Sequence, residues 1–137
     1  MGTQPYWENK ILDLLFGKQA YTPPSTLYLG LCTSVTGGVV TGEPTIGTNG
    51  YARVAIVNSD ISTTWGAASG GVKLNANSTV VFPAPVGSAW GTFPMFFFSD
   101  AATAGDILLS GTLAPPVVTA VGIPPTFGLN QLQVTVS

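Results

Sequence analysis

The chain contains 137 residues, of which 45% are hydrophobic and only 7% are charged, and its formal net charge is −2. This length predicts one domain, 1–137, and the hydrophobic content excludes a disordered tail. The low charge excludes the basic surface that nucleic acids or anionic membranes require, and it indicates a surface largely covered by protein partners.

The first segment, 1–17, is predicted to form a short helix. Four apolar residues fall on one face of this helix: Trp7, Ile11, Leu14 and Leu15. Pro5 suits the first turn, Thr3 or Gln4 can cap the start, and Gly17 suits the position after the end. A helix of about 11 residues is marginal in water. Its apolar stripe must therefore dock, either on the chain's own sheet or on a neighbouring subunit, and we interpret these four as candidate subunit-docking residues.

A connector and a β-rich segment follow the helix. Residues 18–25 contain Pro23-Pro24 and are predicted to form a rigid connector, and residues 26–137 are predicted to form the β domain. The predicted strands span 26–33, 51–57, 72–75, 78–82, 92–99, 106–113 and 130–136. Short strands separated by Gly- and Pro-rich turns are typical of an antiparallel β-sandwich or a small barrel. We therefore expect a mainly β fold with one short N-terminal helix.

The turn signals predict two hairpins and two long loops. One hairpin joins 92–99 to 106–113, and a tighter one joins 72–74 to 78–82 through Asn75-Ala76-Asn77. The last strand, at 132–136, alternates in polarity and should pair with one face buried. The loops at 34–50 and 114–129 are long for a compact domain, so we expect them to be functional or held by a partner.

The inventory of reactive side chains argues against catalysis. Because the chain has no histidine, no Ser-His-Asp or Cys-His pair can form, and one cysteine cannot build a zinc site. Cys32 lies in an apolar run and is expected to be a buried thiol. Asp100 and Asp106 are the best-placed carboxylate pair, but Asp at both ends of a tight loop commonly caps the turn. We therefore predict that the protein is not an enzyme and that it holds no cofactor and no metal.

Aromatic and cationic residues suggest further roles. The phenylalanine-rich run at 93–98 predicts a central strand that is buried on both faces. Trp65 and Trp90 each precede a glycine at a loop edge, and we interpret them as candidate surface-contact or glycan-contact residues. Arg53 and Lys73 are isolated in strand-like segments, where partial burial against a carboxylate is expected.

The sequence shows no export signal and no membrane span. The N-terminal residues lack the basic and apolar regions of a signal peptide, and no apolar run approaches roughly 20 residues. We therefore expect synthesis in a cytoplasm without export by a visible signal.

Several short motifs follow one another in a specific order along the chain. The early ones are WENKILDLLFG at 7–17, TPPSTLYLGL at 22–31 and GYARV at 50–54. The later ones are WGAA at 65–68, FP at 82–83, WG at 90–91 and DAATAG at 100–105. This series, which runs from about Tyr6 to Val136, resembles a family of small virion proteins of tailed bacteriophages that are usually labelled tail-fibre proteins.

The resemblance implies a structural virion protein, assembled in the host cytoplasm, that has no cofactor. Its partners would be other phage virion proteins and copies of itself, with a trimer as the expected state, and neither nucleic acid nor a membrane span. Three roles stay open at this point. The chain can be a compact tail-fibre or appendage subunit that acts through protein–protein contacts. It can be a capsid decoration (cement) protein that stabilises the head, or a module that binds a host surface glycan through Trp65 and Trp90.

Overall fold

The structure is a computed structural model that describes residues 3–58 and 64–135. Its fold is mainly β, with antiparallel sheets and one short N-terminal helix, which confirms the predicted class. The elements are α1 (Pro5–Leu15), β1 (Thr26–Cys32), β2 (Ser34–Thr36), β3 (Val39–Thr41), β4 (Val54–Val57), β5 (Val72–Leu74), β6 (Val80–Val81), β7 (Thr92–Ser99), β8 (Ile107–Val118), β9 (Thr126–Phe127) and β10 (Gln133–Thr135).

The largest sheet has four strands in the order β4-β1-β7-β8, and all three pairings are antiparallel. Its central strand β7 carries the phenylalanine-rich run. Phe96, Phe97 and Phe98 are all buried, which confirms the prediction of a strand covered on both faces. Because successive side chains of a strand alternate, Phe96 and Phe98 join one core cluster and Phe97 joins a second cluster with Cys32.

Two phenylalanine rings of β7 lie over glycines of the neighbouring strands. Gly30 of β1 pairs with Phe97, and Gly111 of β8 pairs with Phe96. A Cβ atom at Gly111 would lie 2.5 Å from Cζ of Phe96, and one at Gly30 would overlap the ring of Phe97. The missing side chains therefore let both rings pack directly against backbone.

The described residues also form three two-stranded sheets: β2 with β3, β6 with β9, and β10 with β5. Over residues 3–58 and 64–135 the strands do not close into a barrel, so the small-barrel alternative is wrong. The predicted loop 34–50 contains the β2–β3 hairpin, and the predicted loop 114–129 contains the end of β8 and all of β9.

One predicted hairpin is confirmed and the other is wrong. β7 and β8 pair as expected, and Asp100 Oδ1 accepts a hydrogen bond of 2.8 Å from the amide of Asp106, which caps the turn between them. β5 and β6 do not pair with each other, because Asn75 and Asn77 bond to other segments of the chain. Asn75 bonds to residues 128–132, and the Nδ2 group of Asn77 donates to the carbonyl of Trp65. The last strand, β10, pairs with β5 instead.

The helix begins and ends near the predicted positions. Gln4 is the N-cap residue and Pro5 occupies the first turn. Gly17 follows the C-cap with φ of +68°, the left-handed conformation that glycine adopts at little cost. The Gln4 side chain does not cap the helix. Its Nε2 group donates to Oγ of Ser110 at 2.8 Å, and its Oε1 accepts from the amide of Gly38 at 3.1 Å. Gln4 thus fastens the start of α1 to β8 and to the β2–β3 turn.

Candidate functional site

The structure divides the predicted docking stripe of α1 into a covered half and an exposed half. Trp7 and Ile11 are half-buried, and the Trp7 ring meets Tyr21 of the connector edge-on, with ring centroids 4.9 Å apart. Leu14 and Leu15 are exposed, and none of the residues of α1 is fully buried. The chain's own connector and β8 therefore cover only the N-terminal half of the stripe.

The exposed half continues around the last turn of the helix. Leu12, Leu14, Leu15 and Phe16 form what we call the end patch, in which Leu15 is 72% and Phe16 is 81% exposed. Leu12, Leu15 and Phe16 are spaced at i, i+3 and i+4, so they share a face. Sequence periodicity identified Leu14 and Leu15 but missed Leu12 and Phe16, which lie outside the stripe that begins at Trp7.

The two tryptophans proposed for glycan or surface contact lie inward. Trp65 is only 7% exposed and packs edge-on against Phe98 in the core, with centroids 5.5 Å apart. Trp90 is half-buried, its ring meets Tyr51 at 5.0 Å, and its Nε1 group donates to the carbonyl of Asn49 at 2.8 Å. Both rings are therefore used in packing, and only a small part of the Trp65 surface is accessible.

The two isolated cations and the cysteine differ in how far they are buried. Arg53 is buried against the carboxylate of Glu43, as predicted, whereas Lys73 is exposed on β5, so the prediction of burial is wrong there. Cys32 is fully buried, and this burial raises the pKa of its thiol to about 12. Within the described residues, no cluster of three or more potential ligand residues could hold a metal ion.

Asn75 is a buried polar residue that sequence reasoning interpreted as a turn. It is 0% exposed, and its Nδ2 group donates to the carbonyls of Gly128 at 2.9 Å and Ser78 at 3.2 Å. Its Oδ1 accepts from the amide of Leu132 at 2.9 Å, and its backbone carbonyl accepts from the amide of Asn130. Asn75 thus fixes the backbone of residues 128–132, which no local sequence signal indicates.

The segment held by Asn75 forms one wall of a groove, and the end of β8 forms the other. The groove has a volume of about 520 Å³. Its lining consists of Thr112, Leu113, Ala114, Pro115, Pro116, Val117, Thr126, Phe127, Asn130, Gln131 and Gln133. We call this cavity the β8 groove. It lies within the long loop that the sequence predicted at 114–129 and at that loop's borders.

The sequence was compared with known protein families. Residues 2–135 match the family model of the podophage GP4 fiber I protein gp80. The chain belongs to this fibre family. The match covers nearly the whole chain, and it confirms the resemblance to small tail-fibre proteins of bacteriophages. A search of curated proteins found no significant match.

Membership of the fibre family supports a structural role in the phage tail fibre, and it implies a virion location and association with other virion proteins. A structural fibre family also suggests a protein that is not an enzyme. Across the part of the chain that the structure describes, no helix is long and apolar enough to cross a membrane.

Proposed function

We propose that this fibre-family protein is a compact subunit of the phage tail fibre that assembles with copies of itself, as a trimer, through the end patch of α1. One observation carries the proposal. Leu12, Leu14, Leu15 and Phe16 are all more than half exposed, although they are large apolar side chains that follow one another on a short helix. Exposed apolar patches of this kind mark protein–protein interaction sites.

The helix itself is held firmly enough to present the patch. Gln4 bonds to Ser110 and Gly38, and the Gln4 amide donates to the carbonyl of Leu108 at 3.0 Å. Trp7 packs against Tyr21. These contacts fix the first half of α1, so the exposed second half projects from a fixed base rather than from a free terminus. A pre-ordered docking element loses less conformational entropy on association than a disordered one.

The charge of the chain favours a second copy as the occupant. The net charge is −2 over 137 residues, so two copies repel each other only weakly. Full burial of an exposed leucine contributes roughly 1.5–3 kcal/mol, so Leu12 and Leu14, which are about half exposed, would each contribute about half of that. In a symmetric oligomer the apolar patch of one subunit can contact the apolar patch of another, and most soluble oligomers are symmetric assemblies of identical chains.

The oligomer mass tests this proposal. We expect the full chain to elute as an oligomer in size-exclusion chromatography with light scattering, and the Leu15→Ser and Leu14→Asp variants to shift towards the monomer. Because Leu14 and Leu15 are exposed within one subunit, urea unfolding of the monomeric variants should stay cooperative. Leu129→Ser is the matched control, since Leu129 is an exposed leucine outside α1. An unchanged oligomer in both helix variants, or a monomeric wild type at all concentrations, would contradict the proposal.

Copy number separates the fibre subunit from the capsid decoration role. A fibre subunit predicts a few to tens of copies per virion in quantitative densitometry, whereas a cement protein predicts hundreds. The family match favours the fibre role. The role of Trp65 and Trp90 as a glycan platform has no comparable support, because Trp65 is buried in the core and the indole N–H of Trp90 is already bonded within the chain.

A further inference from the structure

We propose that the β8 groove binds a neutral saccharide through the amides and hydroxyls of its walls. This inference goes beyond the structural role, and it places a ligand site away from both tryptophans. The groove volume of about 520 Å³ lies in the usual range of small-molecule clefts, roughly 300–1,000 Å³.

The polar groups of the groove match sugar hydroxyls in chemistry. Asn130, Gln131 and Gln133 are exposed. The amides of Asn130 and Gln133 can both donate and accept hydrogen bonds, and Gln131 offers its NH₂ donor. The hydroxyls of Thr112 and Thr126 add two further groups of the same dual character. A saccharide hydroxyl is likewise both donor and acceptor, so neighbouring hydroxyls of one sugar can pair with an amide on both of its atoms.

The charge of the groove restricts the ligand to neutral compounds. Of the described residues that line it, none is charged. An anionic ligand would lose its hydration there without gaining the charge-assisted hydrogen bonds that Arg or Lys would supply. Pro115, Pro116 and Val117 provide an apolar surface beside the amides, which suits the C–H face of a sugar ring.

The amide-bearing wall is fixed before any ligand arrives. Asn75 holds residues 128–132 from inside the core, and Oε1 of Gln131 accepts a hydrogen bond of 2.6 Å from the amide of Gly128. This bond occupies the acceptor atom of Gln131 and leaves its NH₂ group as the donor. Asn130 stands in the left-handed region with φ of +63°. A wall ordered in this way reduces the entropy lost on binding.

A peptide strand is a poorer occupant of the same groove. β8 is an edge strand of the large sheet, and added strands pair with an edge through its backbone N–H and C=O groups. Pro115 and Pro116 have no N–H, so this part of the edge lacks two donors. The pairing with β7 is also interrupted here, because Met95 faces Thr112 whereas Phe93 faces Val117.

Saturation-transfer NMR on the full chain tests the proposal. The probes are neutral tri- and tetrasaccharides of glucose, mannose, galactose and rhamnose, carboxylated hexuronic acid oligomers of equal length, and a valine-rich peptide. We expect transfer to at least one neutral probe, weaker transfer to the acidic probes and none to the peptide. Titration should then give a Kd that Gln133→Ala and Thr112→Val each raise by about three- to tenfold, since each removes hydrogen bonds to the ligand.

Two further variants control for folding. Asn130→Gly removes the amide but keeps the left-handed backbone accessible, so we expect weaker binding with an unchanged melting temperature. Gln19→Ala removes an exposed glutamine outside the groove and should leave Kd unchanged. Absence of transfer to all neutral probes, preference for the acidic probes or the peptide, or equal Kd values in wild type and groove variants would each overturn the proposal.

Discussion

Glu43 and Arg53 form a bidentate ion pair that is almost closed to solvent. Nε of Arg53 donates to Oε1 of Glu43 at 2.8 Å, and an Nη2 proton reaches Oε2 at 2.9 Å. The side chain of Arg53 is 4% exposed and that of Glu43 is 16% exposed. The third guanidinium nitrogen, Nη1, donates to the carbonyls of Ala101 and Ala104, both at 2.8 Å. One of the few cations of the chain thus ties the β7–β8 turn to the segment before β4.

Replacement of Arg53 should lower the free energy of unfolding more than replacement of an exposed cation does. Arg53→Met leaves the largely buried carboxylate of Glu43 without its cation, although the Tyr51 hydroxyl still donates to it. Removal of one member of a buried pair costs about 3–5 kcal/mol. We expect that loss in the free energy of unfolding measured with urea. Lys18→Met, at an exposed cation of the connector, should change it by less than about 0.5 kcal/mol. A loss below about 1 kcal/mol for Arg53→Met would show that the pair is dispensable.

Substitution of Asn75 should lower the free energy of unfolding as much as substitution of a large apolar core residue, although Asn75 is polar. Asn75→Ala removes three side-chain hydrogen bonds, which leaves the amide of the buried Leu132 and the carbonyl of the half-buried Gly128 without these partners. We expect a loss of about 2–4 kcal/mol, together with faster amide exchange at Leu132. Asn77→Ala, which removes one side-chain bond at an exposed residue, is the comparison and should cost about 1 kcal/mol. Equal losses in the two variants would contradict the anchoring role.

Gly30 should tolerate no side chain while Phe97 keeps its ring. A methyl group at Gly30 would overlap that ring, so we expect Gly30→Ala to destabilise the fold by about 1–3 kcal/mol through overpacking. The double variant Gly30→Ala/Phe97→Leu should lose less than the sum of the two single variants, since the smaller side chain makes room. Strict additivity in this double-mutant cycle would mean that the ring does not press on the glycine.

Cys32 should make the protein less stable at alkaline pH. Its folded pKa is raised from 9.0 to about 12, so the unfolded state releases the thiol proton first as pH rises. Stability is therefore lost between about pH 9 and pH 12, and the loss at pH 10 is on the order of 1 kcal/mol. The slope of unfolding free energy against pH between 8 and 10 should be shallower in Cys32→Ala. Iodoacetamide should label Cys32 in urea but not in the native protein, and rapid native labelling would contradict its burial.

Several elements could be predicted because their local sequence preferences match the structure that they adopt in the folded chain. Pro5 and Gly17 correctly predicted where α1 begins and ends. The aromatic run at 93–98 has apolar side chains at successive positions, so it predicted a strand that is buried on both faces. Asp100 and Asp106 cap their turn as expected, because the bond between them depends only on a short loop.

Other features depend on partners far along the chain. Asn75-Ala76-Asn77 has the composition of a hairpin turn, but the carbonyl and amide groups of residues 128–132 offer Asn75 more hydrogen bonds than a turn would. Trp65 precedes a glycine at a loop edge, yet its ring packs against Phe98 in the core. No periodicity or turn rule contains that information, since each contact joins residues that are more than thirty positions apart.

The sequence by itself determined the class of fold, the fibre-family membership and the scarcity of reactive and charged groups, because composition, order of motifs and local periodicity are properties of the chain alone. Only the tertiary structure decided which apolar residues stay in solvent and which polar residues are buried. In the folded chain the end patch of α1 is exposed and Trp65 is buried in the core. The amides of Asn130, Gln131 and Gln133 lie opposite the end of β8. The physical reason is that exposure depends on which distant segments pack together, and the free energy of that packing belongs to the whole core.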